Sequence, residues 1–220
     1  MRTIRTFLAI PLPSSLAGDA LEWVYEMRDD EGKAKPLAIW NPPPKKKQAS
    51  SSPASRSEAG SSMGIKWVPE DNLHLTLKFL GEVENVETPA ICNVLADICS
   101  GFDPFELLFG GASFLPDVER ARTLTVSIED ATNSLTQIVS LMEERYADMG
   151  FKREPRDYVP HLTLGRVRSG SRRASSTAIE KWQRHQDDQL GAMTVNKIQV
   201  IGSFLEKQGP TYNVMNTVEL

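Results

Sequence analysis

Apolar positions along this chain follow two rhythms that alternate from one stretch to the next. Runs with a period of two mark strands, because successive side chains of an extended chain point to opposite faces. They cover Thr3 to Ile10, Asn72 to Leu80, Phe105 to Phe109, Thr123 to Ile128, Tyr158 to Val167 and Lys197 to Phe204. Between them the period lengthens. Ile91, Val94, Leu95 and Ile98 fall at i, i+3, i+4 and i+7, and Leu135, Ile138, Val139 and Met142 repeat that spacing, so each set predicts a helix with one apolar face. Ser14 to Arg28 predicts another helix, with Ser14 as its cap, and Thr177 to Gln189 reads as polar and helix-like.

The order of elements repeats. Strand, helix, strand and helix follow one another from Thr3, and again from Thr123. This predicts an α+β fold in which two antiparallel sheets, flanked by helices, face each other across a central cleft.

Composition fits such a fold and isolates one segment from it. Of 220 residues, 40% are hydrophobic, enough for a substantial core. Asp29 to Gly64 is different: it holds Pro42-Pro43-Pro44, Lys45-Lys46-Lys47 and seven serines between Ser50 and Ser62. Such a stretch buries too little apolar surface to offset its ordering entropy, so a disordered insertion is expected at about 30–64 within a single domain spanning 1–220. The three lysines read as solvated charge before an RNA-binding arm or a nuclear address.

Chemistry enters through a repeated tetrapeptide. His-Leu-Thr-Leu occurs at His74 to Leu77 and at His161 to Leu164, using two of the three histidines. In a strand the histidine and threonine share one face and the two leucines the other. The bland alternative is a half-buried strand histidine that is merely hydrogen-bonded, but an identical context for two of only three histidines argues against it. Paired imidazoles suit a reaction that removes one proton and delivers another, since histidine supplies both forms near neutrality. A threonine beside each adds a hydroxyl donor for the non-bridging oxygens of a phosphodiester.

Around these motifs the chain resembles the 2H phosphoesterase superfamily, and within it the RNA 2',3'-cyclic phosphodiesterases, historically called 2'-5' RNA ligases. The similarity takes in Arg5-Thr6-Phe7-Leu8-Ala9-Ile10-Pro11, Lys66-Trp67-Val68-Pro69, Phe79-Leu80-Gly81-Glu82-Val83, Gly150-Phe151, Tyr158-Val159-Pro160, Gly165-Arg166, Ile198 to Leu205 and Gly209 to Tyr212. It spans nearly everything outside the insertion. It implies a bilobal fold with an internal pseudo-twofold. It also implies hydrolysis of a 2',3'-cyclic phosphate to a 2'-phosphate, with His74 as proton donor, His161 as proton acceptor and Thr76 and Thr163 binding substrate. No metal and no cofactor are expected. The partners implied are RNA 3' termini or short oligonucleotides ending in a cyclic phosphate.

Other features bound this reading. A net charge of -4 argues against wrapping long nucleic acid, while Arg153, Arg156, Arg166 and Arg168 leave room for a local basic cleft. No His-Glu-x-x-His, Cys-x-x-Cys or Gly-x-Ser-x-Gly occurs, and His185 is expected to be exposed and without a role. Cys92 and Cys99, seven apart on a helix, stand roughly 10 Å apart along its axis, too far to bridge, which fits free thiols in a reducing compartment. Phe7 to Ile10 is cut short by Pro11 and Pro13, and no apolar run is long enough for a membrane span, so a soluble, cytoplasmic monomer is expected, with a nuclear location left open. Phe7, Trp67 and Tyr158 are candidates to stack on a base, though strand aromatics more often join the core. Two alternatives remain: a related phosphodiesterase acting on another cyclic phosphate or a 2'-5' linkage, and a nucleotide- or RNA-binding module without catalysis.

Overall fold

The structure, a computed structural model, describes residues 3–29, 64–206 and 209–220. The expected insertion at 30–64 lies outside the described residues, except for Gly64. In chain order the elements are β1 (Thr3–Pro11), α1 (Ser14–Asp29), β2 (Ile65–Trp67), a short 3-10 turn (Glu70–Asn72), β3 (His74–Glu84), α2 (Thr88–Cys99), β4 (Phe105–Leu115), β5 (Thr123–Glu129) and α3 (Ser134–Asp148). Then come β6 (His161–Val167), α4 (Ser176–Gln183), β7 (Gln189–Val195), β8 (Lys197–Glu206) and β9 (Gly209–Glu219).

The strands form two sheets with antiparallel neighbours throughout, ordered β3-β1-β8-β9 and β2-β6-β5-β4-β7. Apart from the extra edge strand β2, the two orders match when β3, β1, β8 and β9 are laid on β6, β5, β4 and β7. This is the pseudo-twofold, and it does not divide the chain into two sequence halves. The first sheet combines strands from both ends of the described chain. The helices cross over as well: α1 packs against β6 and β7 of the second sheet, whereas α3, its counterpart, packs against β3 of the first.

Helix α1 illustrates why the sequence builds this arrangement. Leu16, Ala17, Ala20, Leu21, Val24 and Met27 recur on one face and are all buried. Its first turn begins at Pro13, whose carbonyl accepts from the Ala17 amide at 3.0 Å, so Ser14 is the first helical residue and not the cap. Helix α3 buries Leu135, Ile138, Val139 and Met142 as its spacing predicts. Tyr146 follows one turn later, and its hydroxyl donates to the Ile91 carbonyl at 3.0 Å, tying α3 to α2. One continuous core takes in residues from both sheets and all four helices.

Three expectations need correction. The polar stretch from Thr177 is helical only to Gln183; it then turns through His185 and continues as β7, whose weak apolar pattern hid a strand. His185 is not exposed. It is 7% accessible, stacks on Trp23 of α1 with ring centroids 4.7 Å apart, and its Nδ1 lies 2.8 Å from an Asp188 carboxylate oxygen. Both motif strands also start later than the pattern suggests, each at its histidine, because Glu70–Asn72 forms a turn and Pro160 precedes His161.

Gly165 and Gly111 hold positions that a side chain would disturb. A Cβ on Gly165 would sit 2.7 Å from the Trp67 ring and 2.8 Å from Ile65, which cross over it from β2. Gly111, at φ +74, forms the bulge in β4 where the turn after α4 packs, and a Cβ there would lie 2.9 Å from the Gln186 carbonyl.

Candidate active site

The two motif strands are built alike to the level of single residues. Along β3 and along β6 burial follows one sequence: histidine half-buried, leucine buried, threonine half-buried, leucine buried, next residue buried, next exposed, next buried. A bulge causes the break in alternation. Ala9 pairs with Thr76 and Leu8 with Lys78, leaving Leu77 unpaired; Thr125 pairs with Thr163 and Leu124 with Gly165, leaving Leu164 unpaired. Beyond each bulge the facing is reversed. Lys78 therefore turns inward with 1% of its side chain accessible and pairs with Glu143 of α3 at 2.7 Å, also donating to the Lys152 carbonyl. Phe79 and Arg166 turn outward, onto the face that carries the histidines and threonines.

Both imidazoles are oriented by the same contact. His74 Nδ1 lies 2.8 Å from the Asn72 carbonyl oxygen, and His161 Nδ1 lies 2.7 Å from that of Val159. A carbonyl only accepts, so each Nδ1 carries hydrogen and each neutral ring keeps Nε2 as its free acceptor. Both histidines are held below their ordinary value of 6.5. Burial is the main cause, the bond to the backbone carbonyl opposes it, and the Arg166 charge adds to it in both cases.

Arg166 links the two walls. Its charge is felt by His74, by His161 and by the Tyr212 phenol of β9, so one exposed guanidinium reaches groups from both sheets. A second link comes from Tyr158, just ahead of β6, whose hydroxyl donates to the Thr76 carbonyl at 3.2 Å. Burial raises the Tyr158 phenol, which keeps it a neutral donor.

His74 has an aromatic surround that His161 lacks among the contacts described. Phe7 stands 4.9 Å from the His74 ring, and Tyr212 meets it edge-on at 5.4 Å. A recess of about 320 Å³ opens beside it, lined among others by Pro11, Ser14, Glu70, Asp71, Gln199 and Tyr212. It touches His74 but not His161.

The remaining candidates separate cleanly. Phe7 is buried with Ala9 and Ile201 and has no face for a base, whereas Trp67, packed against Trp182, and Tyr158, whose hydroxyl is spent on Thr76, are half-buried. Arg153 and Arg168 are exposed, and Arg156 pairs with Glu154 at 2.8 Å. Cys92 and Cys99 are free; burial pushes the Cys99 thiol up to about 11, well away from reactivity. Among the described residues, no three His, Cys, Asp or Glu side chains gather where they could hold a metal ion, and no helix is long and apolar enough to cross a membrane.

Two lobes of matched topology, each presenting a histidine and a threonine on one strand, define the paired-histidine class of phosphoesterase. The chain belongs to the LigT-like phosphoesterase family, which it matches twice, over residues 41–125 and 126–212. It is 35% identical over 156 residues to a Methanothermobacter thermautotrophicus protein named RNA 2',3'-cyclic phosphodiesterase, covering 71% of this chain and 83% of that protein. A protein of the same name from Aquifex aeolicus is 31% identical, with 68% and 79% covered. The fold is also that of Escherichia coli LigT, solved with 3'-AMP, at a TM-score of 0.68 and 18% identity over 100% of this chain and 99% of that one. A Thermus thermophilus protein gives 0.66 at 20% identity, covering 99% and 98%.

Proposed function

We propose that this protein hydrolyses the 2',3'-cyclic phosphate at RNA 3' ends to a 2'-phosphate, by acid/base catalysis between His74 and His161 and without a metal ion. The observation that carries it is the shared Nδ1 tether, which leaves two imidazoles with free Nε2 atoms on matched strands with one arginine acting on both. The names of the relatives supply the ester.

Water attacks phosphorus in line and gives its proton to neutral His161 Nε2 as the new O–P bond forms. The bond from phosphorus to the ribose 3' oxygen breaks on the far side, and that oxygen takes a proton from protonated His74 Nε2. Two protons move, and exchange with solvent restores the pair. Depressed histidines suit the acceptor directly. For the donor, the bound phosphodiester supplies what the free site lacks: its negative charge next to His74 favours the imidazolium, so substrate and proton arrive together. Thr76 and Thr163 donate to the non-bridging oxygens, and Arg166 offsets the charge that gathers there in the transition state.

The test offers a panel of 2',3'-cyclic nucleotides and cyclic-phosphate-ended oligonucleotides in excess EDTA, with products assigned by phosphorus NMR. The 2'-phosphate should be the product, and His74→Ala and His161→Ala should each lower turnover by at least about 10². Turnover that disappears in EDTA, or persists in both variants, overturns the scheme.

A further inference from the structure

We infer that Asn72 is a positioning residue for His74: its side chain fastens the backbone carbonyl that orients the imidazole to strand β9, the strand that also supplies the aromatic ring at His74's edge. The inference rests on the function proposed above and names what keeps the proposed proton donor aimed.

Each motif histidine is tethered to a carbonyl two residues back along the chain, that of Asn72 for His74 and that of Val159 for His161. A tether orients a ring only as firmly as it is held itself. The Asn72 carbonyl ends a single 3-10 turn, Glu70–Asn72, whose own bonds run from the Asn72 amide to the Pro69 carbonyl at 2.9 Å and from the Leu73 amide to that of Glu70 at 3.0 Å. A turn this short has little cooperativity to hold it. The Asn72 side chain adds a bond of much longer range: its Nδ2 donates to the Pro210 carbonyl at 3.1 Å. A carbonyl only accepts, so the carboxamide must turn its nitrogen to Pro210.

That bond joins opposite edges of one sheet. In the order β3-β1-β8-β9, His74 opens one edge strand and Pro210 lies at the start of the other. Two residues beyond Pro210, Tyr212 meets the His74 ring edge-on at 5.4 Å. Strand β9 therefore grips His74 twice, at the ring through Tyr212 and at the tether through Asn72. The recess beside His74 is lined by Glu70 and Asp71 of the turn and by Tyr212 and Val214 of β9, so the same bond sets the spacing of two segments of its wall. The pseudo-twofold places Val159 where Asn72 stands. Val159 is 54% exposed and its side chain has no donor; there the neighbouring Tyr158 reaches the Thr76 carbonyl instead. Asn72 supplies tether and brace from one residue.

The experiment follows both imidazoles by nitrogen and proton NMR in wild type, Asn72→Ala and Asn72→Gln, with kcat and KM measured on a 2',3'-cyclic mononucleotide. Alanine removes the donor, and glutamine keeps it one methylene further out. The tether raises His74 against the effect of burial, so loosening it should move His74 further below 6.5 and leave His161 in place. A general loosening of the site would do the opposite, admitting water and bringing both histidines toward 6.5. The other groups around His74, Arg166, Tyr212, Glu70 and Asp71, are the same in every variant. In Asn72→Ala, His74 alone should titrate lower, part of its neutral form should carry hydrogen on Nε2 in place of Nδ1, and kcat should fall about 10- to 100-fold with KM little changed. Asn72→Gln should recover part of each. Asn72→Ser, one bond shorter than the carboxamide, provides the same comparison where alanine does not fold. An unchanged His74 in Asn72→Ala, movement of both histidines together toward 6.5, or an unchanged kcat in an active enzyme overturns the positioning role and leaves the proposed reaction standing. A wild type inactive on cyclic phosphates in which Asn72→Ala still moves His74 alone overturns the reaction and keeps the role.

Discussion

The Tyr158 hydroxyl donates to the main-chain carbonyl of Thr76, so the segment leading into one motif strand is fastened to the other motif strand. The two motif strands, which lie in different sheets, are thereby tied together by a bond that involves neither histidine. Tyr158→Phe removes it and leaves a carbonyl without its donor. The expected result is a loss of about 1 kcal/mol in urea unfolding and a fall in kcat, with the shape of the pH–rate profile unchanged.

Acid should weaken the fold through the same two histidines that are proposed to do the chemistry. Their folded values lie below 6.5, so between those values and 6.5 the unfolded chain binds more protons than the folded one. Their contribution to stability is complete above about 6.5 and is lost as pH falls through that value toward the folded ones. Urea melts from pH 7.5 to 5.5 should show this decline, and the His74→Gln/His161→Gln double variant should show a shallower one. Inorganic phosphate, which favours the imidazolium, should bind more tightly to wild type as pH falls through the same window.

Arg166→Gln should act on both walls at once. Removing the charge removes one of the causes that depress each histidine, so both should titrate closer to 6.5 by proton NMR. Movement of one histidine alone would show that the guanidinium does not serve both.

Lys78 and Glu143 form an ion pair with the lysine end almost wholly enclosed. Glu143→Gln strands that charge and should cost about 3 kcal/mol, whereas Lys78→Met, which removes the charge and keeps the volume, should cost less. Thermal unfolding of both variants checks the order.

Gly165→Ala places a methyl group against Trp67 and Ile65, and β2 must move away from β6 to admit it. A loss of about 1–3 kcal/mol is expected, along with a shift in tryptophan emission.

Much of this was readable from spacing. The repeated tetrapeptide located both motif strands, and the apolar faces of α1, α2 and α3 followed their helical period closely because those helices bury one side against a sheet. Phe79 escaped for a definite reason. Strict alternation from His74 sends Lys78 to the site face and Phe79 to the core, and the bulge at Leu77 reverses both. The sign was present in the second motif, where the same count would bury Arg166, a charge that a core strand does not accept without a partner. His185 escaped because its partner Trp23 is supplied by α1, far away along the chain, and no local pattern announces a contact of that range.

The crossing of the lobes also dictates an order of assembly. Every strand of the sheet holding His161 is drawn from residues 65 to 195, so that wall can close without the C-terminal residues. The wall holding His74 cannot: β1 keeps one edge bare until residues 197–206 arrive to pair with it, and long-range pairing of this kind is slow. With residues 65 to 195 folded, the wall carrying His161 stands complete opposite an unfinished wall carrying His74, and the two motifs come to face each other only as β8 and β9 zip into place.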